Sequence, residues 1–405
     1  MPRLRPVDRL IASHGVSSFG LGLVFPYTAI YLADLPGVGT PGVALFYACT
    51  GGANLGTALL LSTGVLRLRG VPLGVLGTLL WFVGYLTLFL TGSYPMVVAA
   101  GLAIGVGQGS FLAAIIPIIN SLVTPEQRRR VFARRYAVLN ATLALGSLAA
   151  AGLTLALPRT VIPYLFVANA IGILPLTSAI LAVRKDLPPQ RQESVATQGT
   201  SVVELWKTTL VAALFQLAVY LFGLSQFEAT APLVSVNLMA MGLSTVSLLL
   251  IVDVGIIAIL QGLVTRLLEK RPELFGLRVA MLLWVAAYLL AGAVSFGPYP
   301  LRLTGLLGYA VLFALGECAY SASFHPWLIS LVPERDLTRA NALANSMMGI
   351  GNFAGPAIGV ALALTGNAPT VWLTLAACCT AVAVFVRGRP VAAAAHSAAD
   401  HRSGS

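Results

Sequence analysis

Charge is what this chain has least of. Of its 405 residues only 10% are charged, 14 of them acidic, where a soluble domain carries about 25%. That excludes an ordinary soluble globule, because so apolar a chain could not cover its own surface, and lipid is the solvent to assume. Cysteine is nearly as scarce. Cys49, Cys318, Cys378 and Cys379 are all four, each inside an apolar run. Such positions suit small buried hydrophobes, not a disulfide framework or a metal site. A Walker Gly-x-x-x-x-Gly-Lys-[Ser/Thr] is absent, which excludes ATP as a direct driver. No D-D-x-x-D or similar acidic cluster falls within an apolar run, which excludes the metal chemistry of a membrane-embedded lipid or prenyl transferase. No cofactor is called for.

What is there is length of apolar sequence. Hydrophobic residues make up 58% of the chain, and the mean hydropathy is +0.88. A spanning helix needs about 20 apolar residues. Twelve such runs can be drawn, roughly 8–34, 41–64, 70–91, 94–122, 131–157, 160–183, 207–231, 242–268, 275–296, 300–331, 338–365 and 368–387. The sequence therefore predicts an all-α membrane protein with twelve transmembrane helices. The net charge of +11 would suit nucleic acid, but the basic residues sit in short clusters between the runs, so no nucleic-acid partner is expected. Lys and Arg fall on one side of the predicted membrane, in the N-terminal segment, alternate loops and the tail. Only Arg159 and Arg302 fall on the other. By the positive-inside rule both termini are cytoplasmic, and the setting is the cell membrane.

One stretch occurs twice. Residues 107–126, GQGSFLAAIIPIINSLVTPE, and 316–334, GECAYSASFHPWLISLVPE, align at a shift of 209. Gly107 falls on Gly316, Pro117 on Pro326 and, after a one-residue slip, Arg130 on Arg339. A repeat of half the chain means two related halves. They are read as bundles over 1–183 and 207–388, a Pro- and Gln-containing cytoplasmic linker over 184–206 and a disordered tail over 389–405. At the most telling place the copies differ: Gln108 is Glu317 in the second.

Six plus six helices, a repeated half, a cytoplasmic central linker and basic cytoplasmic loops resemble the major facilitator superfamily. Local sequence agrees over about residues 7–388. The first span carries Gly20-Leu21-Gly22-Leu23-Val24-Phe25-Pro26, similar to the Gly-rich first helix of many exporters in that family. Pro125-Glu126 and Pro333-Glu334 open the 4–5 and 10–11 connections. Gly351-Asn352-Phe353-Ala354-Gly355-Pro356-Ala357-Ile358-Gly359 is similar to the family's antiporter motif, although that motif belongs to the fifth helix and here stands in the eleventh. The 2–3 connection, Gly64-Val65-Leu66-Arg67-Leu68-Arg69-Gly70, lacks the family's Asp, and the fourth span has Gln108 and no Arg. The resemblance implies a monomeric secondary transporter working by alternating access on a small molecule. Proton-coupled efflux of a hydrophobic or amphipathic compound is the first expectation, and proton-coupled uptake of a sugar or similar solute the alternative. A sensor or scaffold on the same fold also stays open.

Ionisable groups in a bilayer are costly and usually line a pathway. Glu317 lies near the middle of the tenth span, with Ser321 and His325 at i+4 and i+8 on the same face. It is read either as a proton carrier or as a hydrogen-bonded core acid, and His325 either as its partner or as a helix-end residue. Asp253 stands alone among aliphatics in the eighth span, and Glu228 ends a face with Gln216 and Tyr220 in the seventh. Glu317, Asp253, Glu228 and His325 are thus the proton-coupling candidates. For substrate the candidates are Gln108, Tyr27, Tyr31, Asn54, Asn140, Gln216, Tyr220 and Tyr320. Each amide alone also suits interhelical bonding.

Overall fold

Glycine sets how closely these helices approach. In a computed structural model, Gly77 and Gly107 lie against each other's helix: a Cβ on Gly77 would stand 2.7 Å from the Phe111 nitrogen, and one on Gly107 2.6 Å from the Trp81 nitrogen. Only a residue without Cβ lets two backbones meet so closely. The repeated glycine, Gly316, does the same work in the second half, with a Cβ there standing 2.6 Å from Cδ1 of Trp284. The repeat seen in the sequence is a repeated helix contact.

The structure describes residues 5–25, 27–66, 68–156, 159–185 and 201–387. Most of the expected linker, the expected tail, Pro26 and Arg67 lie outside the described residues. Fourteen α-helices are found, and no strand, among them. The first half holds α1 (Pro6–Val24), α2 (Thr28–Asp34), α3 (Gly39–Ser62), α4 (Gly70–Phe89), α5 (Tyr94–Asn120), α6 (Pro125–Ala156) and α7 (Ile162–Val183). The second holds α8 (Val202–Val219), α9 (Ala231–Asn237), α10 (Leu243–Leu268), α11 (Glu273–Val294), α12 (Tyr299–Ser330), α13 (Leu337–Thr365) and α14 (Ala368–Arg387). Eleven helical stretches among the described residues are long and apolar enough to cross a membrane. The first span is the exception: it divides into α1 and α2, and α1 carries Asp8, Arg9 and His14. Together they complete twelve. In the seventh span α8 and α9 are joined by two π-helical turns, Tyr220–Leu224 and Gln226–Thr230.

The halves pack alike. α3 lies on α5 as α10 lies on α12, α4 on α5 as α11 on α12, α4 on α7 as α11 on α14, and α1 on α6 as α8 on α13. Each half buries its own apolar core, one centred on Phe111 and Phe166, the other on Trp284, Tyr309 and Trp372. The bundles meet through α3 and α5 against α13, and α6 against α10 and α12.

Those meetings are concentrated at the basic end, where the predicted loops gather their arginines. Arg129 donates from Nη1 to the Leu268 carbonyl, and to the Arg271 carbonyl at 3.0 Å. Arg130 pairs with Glu269. On the symmetric side, Arg339 donates to the Ser62 carbonyl at 3.3 Å and pairs with the buried Asp336 at 3.4 Å. Arg69 donates to the Arg335 carbonyl at 2.8 Å. Ile329, Leu337 and Ala342 of the second half join the first half's core. The family's missing loop Asp is thus made up for by a different lock, in which arginines at the starts of α6 and α13 cap the C-terminal carbonyls of α10 and α3. Among the described residues, no hydrogen bond joins the two bundles at the opposite end.

Gly64 sits in this lock. Its φ is +78°, a left-handed conformation that costs an L side chain about 1–2 kcal/mol, and its Cβ position is 3.4 Å from Nε of Arg339. Gly64→Ala should therefore lower the apparent melting temperature in detergent and loosen the basic end. Gly92→Ala, where a Cβ meets nothing within 4 Å and φ is not left-handed, should leave both unchanged.

Candidate functional site

Halfway along α12, a turn beyond the basic lock, stands the carboxyl of Glu317. It is buried, with 5% of its surface exposed, and accepts a hydrogen bond from the Tyr136 hydroxyl of α6. That bond crosses from one bundle to the other. Tyr136 belongs to a ladder of α6 residues spaced by four: Phe132 packs its ring 5.3 Å from that of His325, and Asn140 donates to the Tyr136 carbonyl at 3.0 Å. On α12 the residues facing it are Glu317 and His325. Ser321, between them, turns instead to α10 and donates to Gln261 at 3.2 Å, while Gln261 donates to the Cys318 carbonyl at 3.1 Å.

Asp253 and Glu228 join this neighbourhood. Asp253 is buried on α10, and its Oδ1 has no hydrogen-bond partner. Glu228 is exposed on the second π-helical turn. Asp253 and Glu228 both act electrostatically on Glu317, and Glu228 acts on Asp253. Tyr220 lies within reach of Glu228 and Glu317. Three acids scattered over 90 positions of sequence are therefore one electrostatic group. They do not close into a metal-holding cluster among the described residues.

The π turns have a visible cause. Buried Gln226 donates to the Leu221 carbonyl at 2.6 Å and to the Gly355 carbonyl of α13 at 2.7 Å. The wider turn frees backbone oxygens for such a side chain. Gly351, Gly355 and Gly359 of α13 receive this bulge: a Cβ on Gly351 would stand 2.5 Å from Cβ of Tyr220, and one on Gly355 2.7 Å from Cβ of Ser225. The motif-like glycines of the eleventh span are the seat of the seventh.

The expected substrate residues divide. Gln216 accepts from the Tyr320 hydroxyl at 2.6 Å, tying α8 to α12 inside the second bundle. Tyr220 begins the π segment beside the acids. Gln108 and Asn54 are half-buried on α5 and α3. Tyr27 shares a 2.8 Å hydrogen bond with Thr154, and Tyr31 donates to the Leu88 carbonyl at 3.3 Å with its ring 4.9 Å from Phe166. These two tyrosines satisfy groups of their own bundle. Glu317 is bonded to Tyr136, not to its sequence counterpart Gln108.

Three residues escaped the sequence reading. Tyr136 was one aromatic among many. Arg135 was counted with the loop cations, yet it is buried in α6 at 9% exposure. The signal was present, since the fifth apolar run begins at Val131, four residues before it. His14, on α1, is buried at 7% exposure with its ring edge-on to Phe111 at 4.9 Å.

Two pseudo-symmetric six-helix bundles, clasped at one end, with acids gathered where they meet, form the fold of a membrane transporter and are consistent with secondary transport. The chain belongs to the Major Facilitator Superfamily, whose sequence model matches residues 10–301. No curated protein matches it. Among solved structures it resembles a bacterial homologue of the iron transporter ferroportin in the outward-facing state, with a TM-score of 0.76 at 13% identity over 95% of this chain and 100% of that one. It also resembles the E. coli fucose:proton symporter, with a TM-score of 0.68 at 14% identity over 95% of this chain and 98% of that one. The human organic anion transporter MFSD10 (TETRAN) gives a TM-score of 0.66 at 15% identity over 95% and 100%. At such identities the likeness is of fold alone.

Outside the membrane, the Arg130 pair holds the Glu269 carboxyl below its usual range, chiefly through the hydrogen bond from Arg130. A lowered carboxylate contributes stability above its unfolded value of about 4.3 and loses it as pH falls through the folded value. Melting curves of wild type and Glu269→Gln should therefore differ near neutral pH, with the variant lower, and converge below about pH 4. A constant gap across that range would remove Glu269 from the lock.

Proposed function

We propose that this protein exports a small hydrophobic or amphipathic organic compound in exchange for protons. It does so as a monomer in the cell membrane, with both termini and the basic end cytoplasmic. The observation that carries this reading is the bond between Glu317 and Tyr136, which joins the two bundles at a group able to take and give a proton. In the proposed orientation the clasped end is cytoplasmic and the state is outward-facing.

The chemistry follows from that bond. Ionised Glu317 accepts a charge-assisted hydrogen bond from Tyr136, and such bonds are roughly twice as strong as neutral ones. A proton arriving from outside, passed among Glu228, Asp253 and Glu317, neutralises the acceptor and weakens the contact between α6 and α12. The bundles then rock apart at the basic end, the proton leaves to the cytoplasm, and the compound binds. Return of the ionised carboxyl to Tyr136 restores the outward-facing state with the compound ready to leave. Energetically the proton and the compound shift the same two-state equilibrium in opposite directions.

Proton-coupled uptake of a sugar or similar solute is the second reading, supported by the concentration of ionisable groups in the second half. Everted vesicles with an acidic lumen separate the two. Export by exchange releases lumenal protons when an amphipathic compound is added, whereas symport moves protons in the solute's direction. Glu317→Gln should abolish gradient-driven transport while one-for-one solute exchange persists. Undiminished gradient-driven accumulation in that variant would refute the proton role.

A further inference from the structure

The carboxyl group leaves one buried cation unexplained. Arg129, Arg130, Arg134 and Arg339 each have an ion-pair partner, respectively Glu273, Glu269, Asp8 and Asp336. Arg135 has none: its Nε is buried without a hydrogen-bond partner, and no ion pair or hydrogen bond involves its guanidinium among the described residues. A guanidinium largely withdrawn from water without a counter-charge is costly. Such a group is retained where something else supplies the missing charge.

What surrounds it has the character of a receptor for an anion. The ionisable groups acting on or acted on by Arg135 are His14 of α1, His325 of α12 and Tyr220 of the π segment. No carboxyl is paired with Arg135: Glu317 is bonded to Tyr136, and Asp253 and Glu228 make no ion pair with Arg135 among the described residues. The Nδ1 atoms of His14 and His325 are both buried and unpartnered. His14 comes from the first bundle and His325 from the second, and contacts of α1 with α6, such as Ser18 donating to the Leu139 carbonyl at 3.1 Å, bring the former to this level. Aromatic rings back both imidazoles: Phe111 behind His14, and Phe132 and Phe324 beside His325.

We propose that Arg135, with His14 and His325, receives the carboxylate of the transported compound between the two bundles, its apolar body lying among Phe111, Phe132 and Phe324. The fork of a guanidinium matches a planar carboxylate with two parallel hydrogen bonds, which a primary amide or an alcohol cannot reproduce. The inference deepens the proposed export reading by naming a substrate class, amphipathic organic monocarboxylates, and rests on taking the surface between the bundles as the transport path.

The test is binding to the purified full chain in detergent, read as melting temperature against benzoate, phenylacetate and 1-naphthoate, with the matched primary amides and sodium chloride as controls. Carboxylates should raise the melting temperature saturably and the amides should not. Arg135→Gln should weaken the response by at least about tenfold, Arg135→Lys by less, and the neighbouring surface variant Arg134→Gln should respond as wild type does. Because Arg135→Gln removes an uncompensated buried charge, it should melt no lower than wild type without ligand. A merely structural arginine would give a lower value. Should that variant fail to fold, a response in Arg135→Lys equal to wild type overturns the proposal. So does the absence of any carboxylate shift, an unchanged response in Arg135→Gln, or a shift given by chloride alone. Vesicle proton exchange reports separately on the export reading: carboxylate binding without proton exchange would sink that reading, and proton exchange with neutral compounds without carboxylate binding would sink this one.

Discussion

Everything in this molecule turns on helix ends. The last carbonyls of a helix have no partner within it and carry a partial negative charge. At the basic end, Arg129 supplies the partner for the end of α10 and Arg339 for the end of α3. The two arginines stand at the starts of α6 and α13, equivalent helices of the two halves. Each bundle thus completes one helix of the other, about the pseudo-two-fold axis. Breaking one such contact exposes orphan carbonyls on one bundle and a guanidinium on the other. Opening requires water to reach both, so this end opens as a unit.

Above that lock the interface changes character. Backbone caps give way to a titratable bond, Tyr136 to Glu317, with Asp253 and Glu228 in its field. The two layers have different controls. The first answers to helix geometry and to the lock's own ion pairs; the second, in the proposed mechanism, answers to protonation. The π-helical stretch lies where the acids meet the seventh span, seated in the glycines of α13. Tyr220 touches that seat and the electrostatic field of Glu317 alike, so a change of register there would be felt at the acids.

Much of this was legible in the sequence. Twelve apolar runs, the one-sided cations and the 209-residue repeat specify two like bundles, and the ends of most helices fall close to the predicted ones. Glu317 and Asp253 stood out because an acid among aliphatics has few bland explanations. What escaped was whatever depends on a partner from the other half. Tyr136 is an ordinary aromatic until α12 is laid beside it. Arg135 reads as one more of the basic cluster at the start of the fifth span, because nothing in one sequence separates a buried arginine from its exposed neighbours Arg130 and Arg134. The π turns escaped because a 3.6-residue period does not reveal where a side chain such as Gln226 takes a backbone carbonyl and widens the turn. Tyr27 and Tyr31 show how little the sequence says of partners: both hydroxyls are hydrogen-bonded within their own bundle.

The pseudo-two-fold pairing of α6 with α12 and of α13 with α5 carries one more implication. In the register that sets Arg130 on Arg339, Tyr136 corresponds to Asn345 and Glu317 to Gln108. On the first side the pair is bonded; on the second, the Asn345 Nδ2 is buried and has no partner. One seam is therefore joined through a carboxyl, and its twin through Asn341, which donates to the Leu112 and Ala113 carbonyls at 2.6 and 3.3 Å. Only the first of these joints can change with a proton, so under the proposed exchange the seams part unevenly, with the amide seam as the hinge and the acidic seam as the opening edge.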